Sequence, residues 1–233
     1  MSRRRLALVA VAAGAIAGGA LAAALALSTG GTPKPAAAAP VGAARVAAML
    51  RGLDQNGTAL GSRTAPVTLV EFADPQCPAC GMWARNALPV IVRDYVRPGK
   101  VQIVFSGMHF VGPESETALR AALAAGAQHR FWNVVELLYE NQGAENTGWV
   151  SDTLLHSIGD AVPGLSTSRM LAGLQSSNVT NLLAQGDALA QQAGISSTPS
   201  FAVGKTGGTL RVVPITSLSA GGITPQLDAA LKQ

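Results

Sequence analysis

Apolar and polar positions divide this chain into a long uncharged run, a set of short strand-like segments and a middle block of helical period. Residues 67–73, Val-Thr-Leu-Val-Glu-Phe-Ala, form a nearly continuous apolar run of the length expected for a buried strand. Residues 77–96 repeat apolar side chains at helical spacing through Trp83, Leu88, Ile91, Val92 and Tyr95, with Pro89 placed to kink the helix. Pro98-Gly99 turns the chain into a second strand at 101–105. Beyond Gly112-Pro113 the period becomes helical. Residues 118–127 form one amphipathic stretch, Phe131, Trp132, Val135, Leu138 and Tyr139 mark another, and weaker helices are expected near 151–158, 167–175 and 178–193. Gly194 caps the last of them, and residues 200–203 and 210–213 read as a strand pair around the Gly204–Gly208 turn. Thr224 as N-cap with Pro225 at the first helical position opens a closing helix to about residue 231, and a short helix is expected at 45–51. The order is therefore β, helix, β, helical block, β, β, helix.

The uncharged run lies at the other end of the chain. Met1-Ser2-Arg3-Arg4-Arg5 is followed by 22 residues, Leu6 to Leu27, without a charge or strong polar group. A basic start and an apolar segment make an export signal. Its length favours a retained membrane anchor over the roughly 7–15 residues of a cleaved signal core. Its Ala/Gly content and the Ala36–Ala39 run leave cleavage as the alternative, and Ser2–Leu6 loosely resembles a twin-arginine signal. Residues 28–44 read as a flexible spacer. Arg3, Arg4, Arg5 and Lys34 are four of the 17 basic residues, and the remaining 13 balance the 13 acids. The part beyond residue 40 is thus formally neutral, without a basic patch for nucleic acid. The positive start predicts that the rest lies outside the cytoplasm, where disulfides persist.

The chain has two cysteines, placed as Cys77-Pro78-Ala79-Cys80 where the first strand gives way to a helix. A thiol at a helix N-terminus faces unpaired N–H groups and the positive end of the helix dipole, and both favour the reactive thiolate. Pro78 suits the first turn, where its missing N–H costs nothing. Structural zinc would need four ligands, and His109, His129 and His156 have no metal-ligand spacing to one another. A structural disulfide closing so small a loop would remove little chain entropy. No metal and no bound cofactor are expected.

The segment Val70-Glu71-Phe72-Ala73-Asp74-Pro75-Gln76-Cys77-Pro78-Ala79-Cys80 resembles the V-x-F-x-D-x-x-C-P-x-C signature of the DsbA-like thiol–disulfide oxidoreductases. Gly112-Pro113-Glu114-Ser115 before an Ala-rich helix, Phe131-Trp132 with Glu140-Asn141-Gln142, and Gly194-Ile195 with Thr198-Pro199-x-Phe201 match the same family, over roughly residues 60–205. The resemblance implies a thioredoxin-like α/β fold at 45–233, with a helical domain at about 112–193 inserted between the second and third core strands. It implies that Cys77 is the exposed nucleophile, Cys80 the recessed resolving thiol, and Pro199 a cis-proline that presents the backbone of Thr198 to an extended client. Glu71 falls where the family places a buried acid that could accept the Cys80 proton. Strand alternation gives the other reading, a solvated outward carboxylate. Asp74 reads as a turn residue. Trp83, Phe131, Trp132 and Tyr139 read as core.

Two departures bear on direction. Ala79 stands where strongly oxidising relatives carry His, and Thr198 is more typical of the isomerase and reductase branches. The expectation is an extracytoplasmic enzyme that exchanges disulfides with exported client proteins, in the oxidising direction, with a quinone-linked membrane partner to reoxidise it. Reduction or isomerisation with a membrane electron donor is the first alternative. A non-catalytic envelope chaperone or binding protein is the second.

Overall fold

Among the described residues a six-stranded mixed sheet is built around one strand that is buried along its whole length. The structure, a computed structural model, describes residues 39–233. The expected anchor at 1–27 and most of the spacer lie outside the described residues. Among those described, no helix is long and apolar enough to cross a membrane. The spacer was expected to run to residue 44, but its last residues are ordered. The Val41 N–H donates to Asn141 Oδ1 at 2.9 Å, and helix α1 (Ala43–Leu50) follows directly.

A hairpin of β1 (Gln55–Asn56) and β2 (Ala59–Leu60) precedes the central strand β3 (Val67–Ala73). The hairpin was not anticipated, although Asn56-Gly57 is a turn signal and Gly57 has φ of 58°. Helix α2 (Pro78–Asn86) stops before Pro89, and α3 (Leu88–Ile91) continues into a π-helical turn at Val92–Val96. Strand β4 (Val101–Gly107) then pairs parallel to β3. Five helices separate it from the next strand: α4 (Pro113–Gly126), α5 (Phe131–Glu140), α6 (Asp152–Ala161), α7 (Thr167–Gly173) and α8 (Ser177–Gln192). Strands β5 (Ser200–Lys205) and β6 (Arg211–Val213) and helix α9 (Thr224–Leu231) complete the chain, giving the sheet order β1-β2-β4-β3-β5-β6.

The three outer helices of the insertion begin with serine caps. Ser151, Ser166 and Ser176 accept from the N–H groups of Leu154, Arg169 and Val179, each satisfying an otherwise orphaned donor. Helix α9 departs from its expected cap: Thr224 is already helical and Ile223 precedes it without a side-chain bond.

Strand β3 alternates between two apolar environments. Val67, Leu69 and Ala73 join the main core, whereas Val70 and Phe72 join a smaller cluster with Ala190 and Ala202. Both faces are covered, so alternation along β3 separates two interiors rather than inside from outside. That is why Glu71 is buried.

The expected aromatic anchors are core. Trp132 lies edge-on to Phe105 and Phe131, with ring centroids 6.0 Å from each, and its Nε1 donates to the Thr58 carbonyl at 3.0 Å. Replacing this fully buried ring by alanine should cost about 3–5 kcal/mol. Chemical denaturation of Trp132→Ala should show an earlier midpoint with little change in slope.

Candidate active site

The Cys-x-x-Cys segment sits where β3 runs out and α2 begins. Asp74 brackets the turn between them. Its Oδ1 accepts from the Gln76 N–H at 2.8 Å, its Oδ2 from the Val111 N–H at 3.1 Å, and its carbonyl from the Cys77 N–H at 3.0 Å. The expected turn role for Asp74 therefore has a structural basis. Cys77 is the residue before the first helical position, with φ −66° and ψ 120°, and Pro78 follows it in the first turn. The Cys77 carbonyl accepts the first helical hydrogen bond, from Gly81 N at 3.1 Å.

The two thiols occupy different environments. Cys77 is 9% exposed and Cys80 is 0% exposed, so an incoming sulfur can reach only the first. The Cys77 pKa is drawn down to about 6, chiefly by the hydrogen bond from Cys80. Burial opposes that shift, while the Thr198 side chain and the backbone N–H groups of Cys80 and Ala79 add to it. Burial pushes Cys80 well above the ordinary thiol value, reinforced by its hydrogen bond to Cys77 and the charge there. One thiol is thus an anion at neutral pH and its neighbour keeps its proton.

Thr198 and Pro199 are brought against this pair from the far end of the chain. The peptide between them is cis, and Cys77 in its thiol form donates to the Thr198 carbonyl at 3.5 Å. Thr198 therefore meets either protonation state, its carbonyl accepting from the thiol and its side chain favouring the thiolate.

Glu71 lies on the main-core face of β3, 2% exposed. Its partners in the sheet register are Phe105 on β4 and Phe201 on β5, and Trp83 lies 4.4 Å from Phe201 between ring centroids. This aromatic box pushes the Glu71 pKa up to about 8 through burial. The Trp83 indole offsets part of the rise, although its N–H makes no hydrogen bond of full geometry. A second carboxyl, Glu136 on α5, is equally buried. Burial pushes it up first and the charge of Glu71 second, while Arg45 and Arg85 pull it back. Burial pushes the Tyr139 phenol well above its ordinary value, Cys80, Glu71, Glu136 and Asp74 add to this when ionised, and its hydroxyl donates to the Asp74 carbonyl at 3.3 Å. These acidic groups thus gather around one buried phenol.

Several of these residues were not singled out from the sequence. Glu136 carried a signal, a charge inside the apolar pattern of Phe131–Tyr139. Gln76 did not: it is buried, donating to Ser115 Oγ and Asn146 Oδ1 at 3.1 Å each. Of the histidines, His109 pairs with Asp187 at 3.2 Å and His129 Nδ1 lies 2.9 Å from the Gln55 carbonyl. Among the described residues no three His, Cys, Asp or Glu side chains form a metal-binding group.

Comparison with known proteins agrees with this fold. A family model described as Thioredoxin matches residues 54–208. A probable disulfide bond formation protein D from Bacillus cereus is 31% identical over 147 residues, covering 62% of this chain and 68% of that protein. The crystal structure of oxidised BdbD from Bacillus subtilis superposes with a TM-score of 0.64 at 23% identity, over 78% of this chain and 98% of the other. A thioredoxin-like oxidoreductase from Silicibacter pomeroyi gives a TM-score of 0.57 at 29% identity, over 75% and 92%.

Two outcomes follow. Thiolate absorbance of the reduced protein should rise through a single midpoint near pH 6, and Cys77→Ser should remove it. For Glu71, whose raised pKa keeps the folded state protonated, stability is full below the unfolded value and falls as pH rises toward about 8. Glu71→Gln should therefore be more stable than the parent by roughly 1–3 kcal/mol at pH 7.5 and indistinguishable at pH 4, by chemical denaturation.

Proposed function

Because the chain belongs to the thioredoxin family, in its DsbA-like thiol–disulfide oxidoreductase branch, we propose that Cys77 and Cys80 exchange disulfides with exported proteins in the oxidising direction. The observation that carries this reading is the inequality of the two thiols. Cys77 is partly accessible at the N-terminus of α2, where its thiolate is favoured, and Cys80 is fully buried, where its proton is favoured.

In the oxidised enzyme a client thiolate attacks Cys77 Sγ. The Cys77–Cys80 bond breaks, Cys80 takes the electron pair and then a proton, and a client–Cys77 disulfide remains. A second client thiolate attacks the client sulfur of that bond, and Cys77 leaves as a thiolate. The client has lost two electrons and gained a disulfide, and the enzyme is a dithiol. The Cys80 thiol first, then Thr198 and the backbone N–H groups of the helix terminus, stabilise the leaving Cys77, so the second step is the one that the fold favours most.

Glu71 is assigned the proton traffic of Cys80. Among the described residues it makes no hydrogen bond to that thiol; what supports the assignment is its burial and its raised pKa. Thr198 and Pro199 are assigned the client backbone, bound as an added extended segment regardless of its sequence. Residues 1–27 are assigned to a membrane anchor that leaves 45–233 outside the cytoplasm, and a membrane redox partner is assigned the regeneration of the disulfide.

A second reading, reduction or isomerisation, is favoured by Ala79. It gives Cys77 only a backbone N–H, with no charged side chain to hold the thiolate.

Equilibration with glutathione buffers separates the directions. A potential near about −120 mV supports oxidation, and one near about −270 mV supports reduction. Cys80→Ser should accumulate mixed disulfides with envelope proteins, whereas Cys77→Ser should accumulate none. Client binding that persists in Cys77→Ser without any thiol exchange would replace the enzyme reading with that of a binding protein.

A further inference from the structure

Helix α2 carries a glycine in its interior at position 81, one turn after Cys77. Its φ is not positive, so no backbone conformation demands glycine there. Glycine costs about 1 kcal/mol relative to alanine in such a place. In a nine-residue helix that bears the reactive thiols, this cost calls for a cause.

The cause is the side chain of Gln142, in the loop just beyond α5. A Cβ at position 81 would collide with Gln142 Oε1, and it would also crowd the Arg85 guanidinium, at 3.0 Å from Nη1 and 3.2 Å from Nη2. Gln142 lies in the notch left by the missing side chain, and from there its Nε2 reaches two carbonyls of the active-site turn. It donates to Pro75 O at 2.9 Å and to Cys77 O at 3.0 Å. The second of these also accepts Gly81 N, so both its lone pairs are used. Arg85 is held alongside by its own bond to the Tyr139 carbonyl.

We propose that Gln142, seated in the notch at Gly81, is a positioning residue that couples the helical insertion to the redox pair by fixing the carbonyl of Cys77. The proposal rests on Cys77 being the nucleophile. The amide places a positive N–H against the carbonyl of the residue that carries the developing thiolate, and it holds residues 75–77 so that Cys77 faces the free N–H groups of α2. Without it, that carbonyl keeps its helical bond but loses its outer donor, and the sulfur sits in a less positive surrounding. Gln142 touches no substrate and exchanges no proton.

The test is the thiolate titration of the reduced full-length protein, with Gln142→Ala, Gly81→Ala and the double variant. Gln142→Ala should move the Cys77 midpoint upward by about half a pH unit or more, and Gly81→Ala, which evicts the same side chain, should do the same. Because both changes remove one interaction, the double variant should move no further than the larger single shift. The potential against glutathione should become more reducing in all three. Gln142→Met keeps the length without the donors and replaces Gln142→Ala if that variant fails to fold. A Gln142 midpoint within about 0.2 unit of the parent, with the fold intact, overturns the proposal, as do fully additive single shifts. If the parent itself has no thiolate midpoint near pH 6, the assignment of Cys77 fails instead, and the two failures are told apart by that control.

Discussion

Burial of a polar turn is the constraint to which the rest of the molecule responds. Residues 74–77 connect a fully buried strand to the start of a helix, and Asp74 and Gln76 are themselves fully buried. Every backbone group there needs a partner or costs free energy on the scale of a lost hydrogen bond. Asp74 satisfies two N–H groups through its carboxylate, Gln76 reaches Ser115 and Asn146, and Gln142 covers the carbonyls of Pro75 and Cys77. Three of these partners, Ser115, Gln142 and Asn146, belong to the segment between β4 and β5. In physical terms the insertion is what lets the turn be dry.

A dry turn changes what its ionisable groups can do. In water at neutral pH a carboxyl is ionised and a thiol keeps its proton. Here burial between Phe105 and Phe201 keeps Glu71 protonated up to about pH 8, while Cys77, bonded by Cys80, loses its proton near pH 6, so the order is reversed. Between those values the more accessible sulfur is the anion and the buried carboxyl is neutral. Glu136 adds a second buried carboxyl that cannot ionise readily beside the first. Burial of the carboxyl and the Cys80 hydrogen bond to the sulfur thus decide which group carries the charge.

Much of this was legible in the sequence. The Cys-Pro-Ala-Cys segment at a strand-to-helix junction, the two core strands, the helical block and the Thr-Pro loop all appear where their patterns placed them, because each rests on local chemistry. What escaped depended on distant pairing. Glu71 could be read two ways, because alternation reports sidedness and says nothing of what covers the other side. The β1–β2 hairpin is two residues per strand, too short to show a period. Gln142 and Gly81 each look ordinary alone, and their meaning exists only in the contact between them.

Cys77 and Thr198 stand 121 residues apart, with the whole insertion between them. A chain made from its N-terminus therefore delivers its two thiols long before the loop that covers them. During that interval α2, nine residues long with a glycine inside, is marginal on its own, and the Thr198 carbonyl and side chain are not yet beside the sulfur. The partners supplied by Ser115, Gln142 and Asn146 also arrive before Thr198 does. Along the chain, the partners that brace the turn thus precede the residue that covers Cys77, and the full set of contacts around the sulfur exists only once residue 198 is in place.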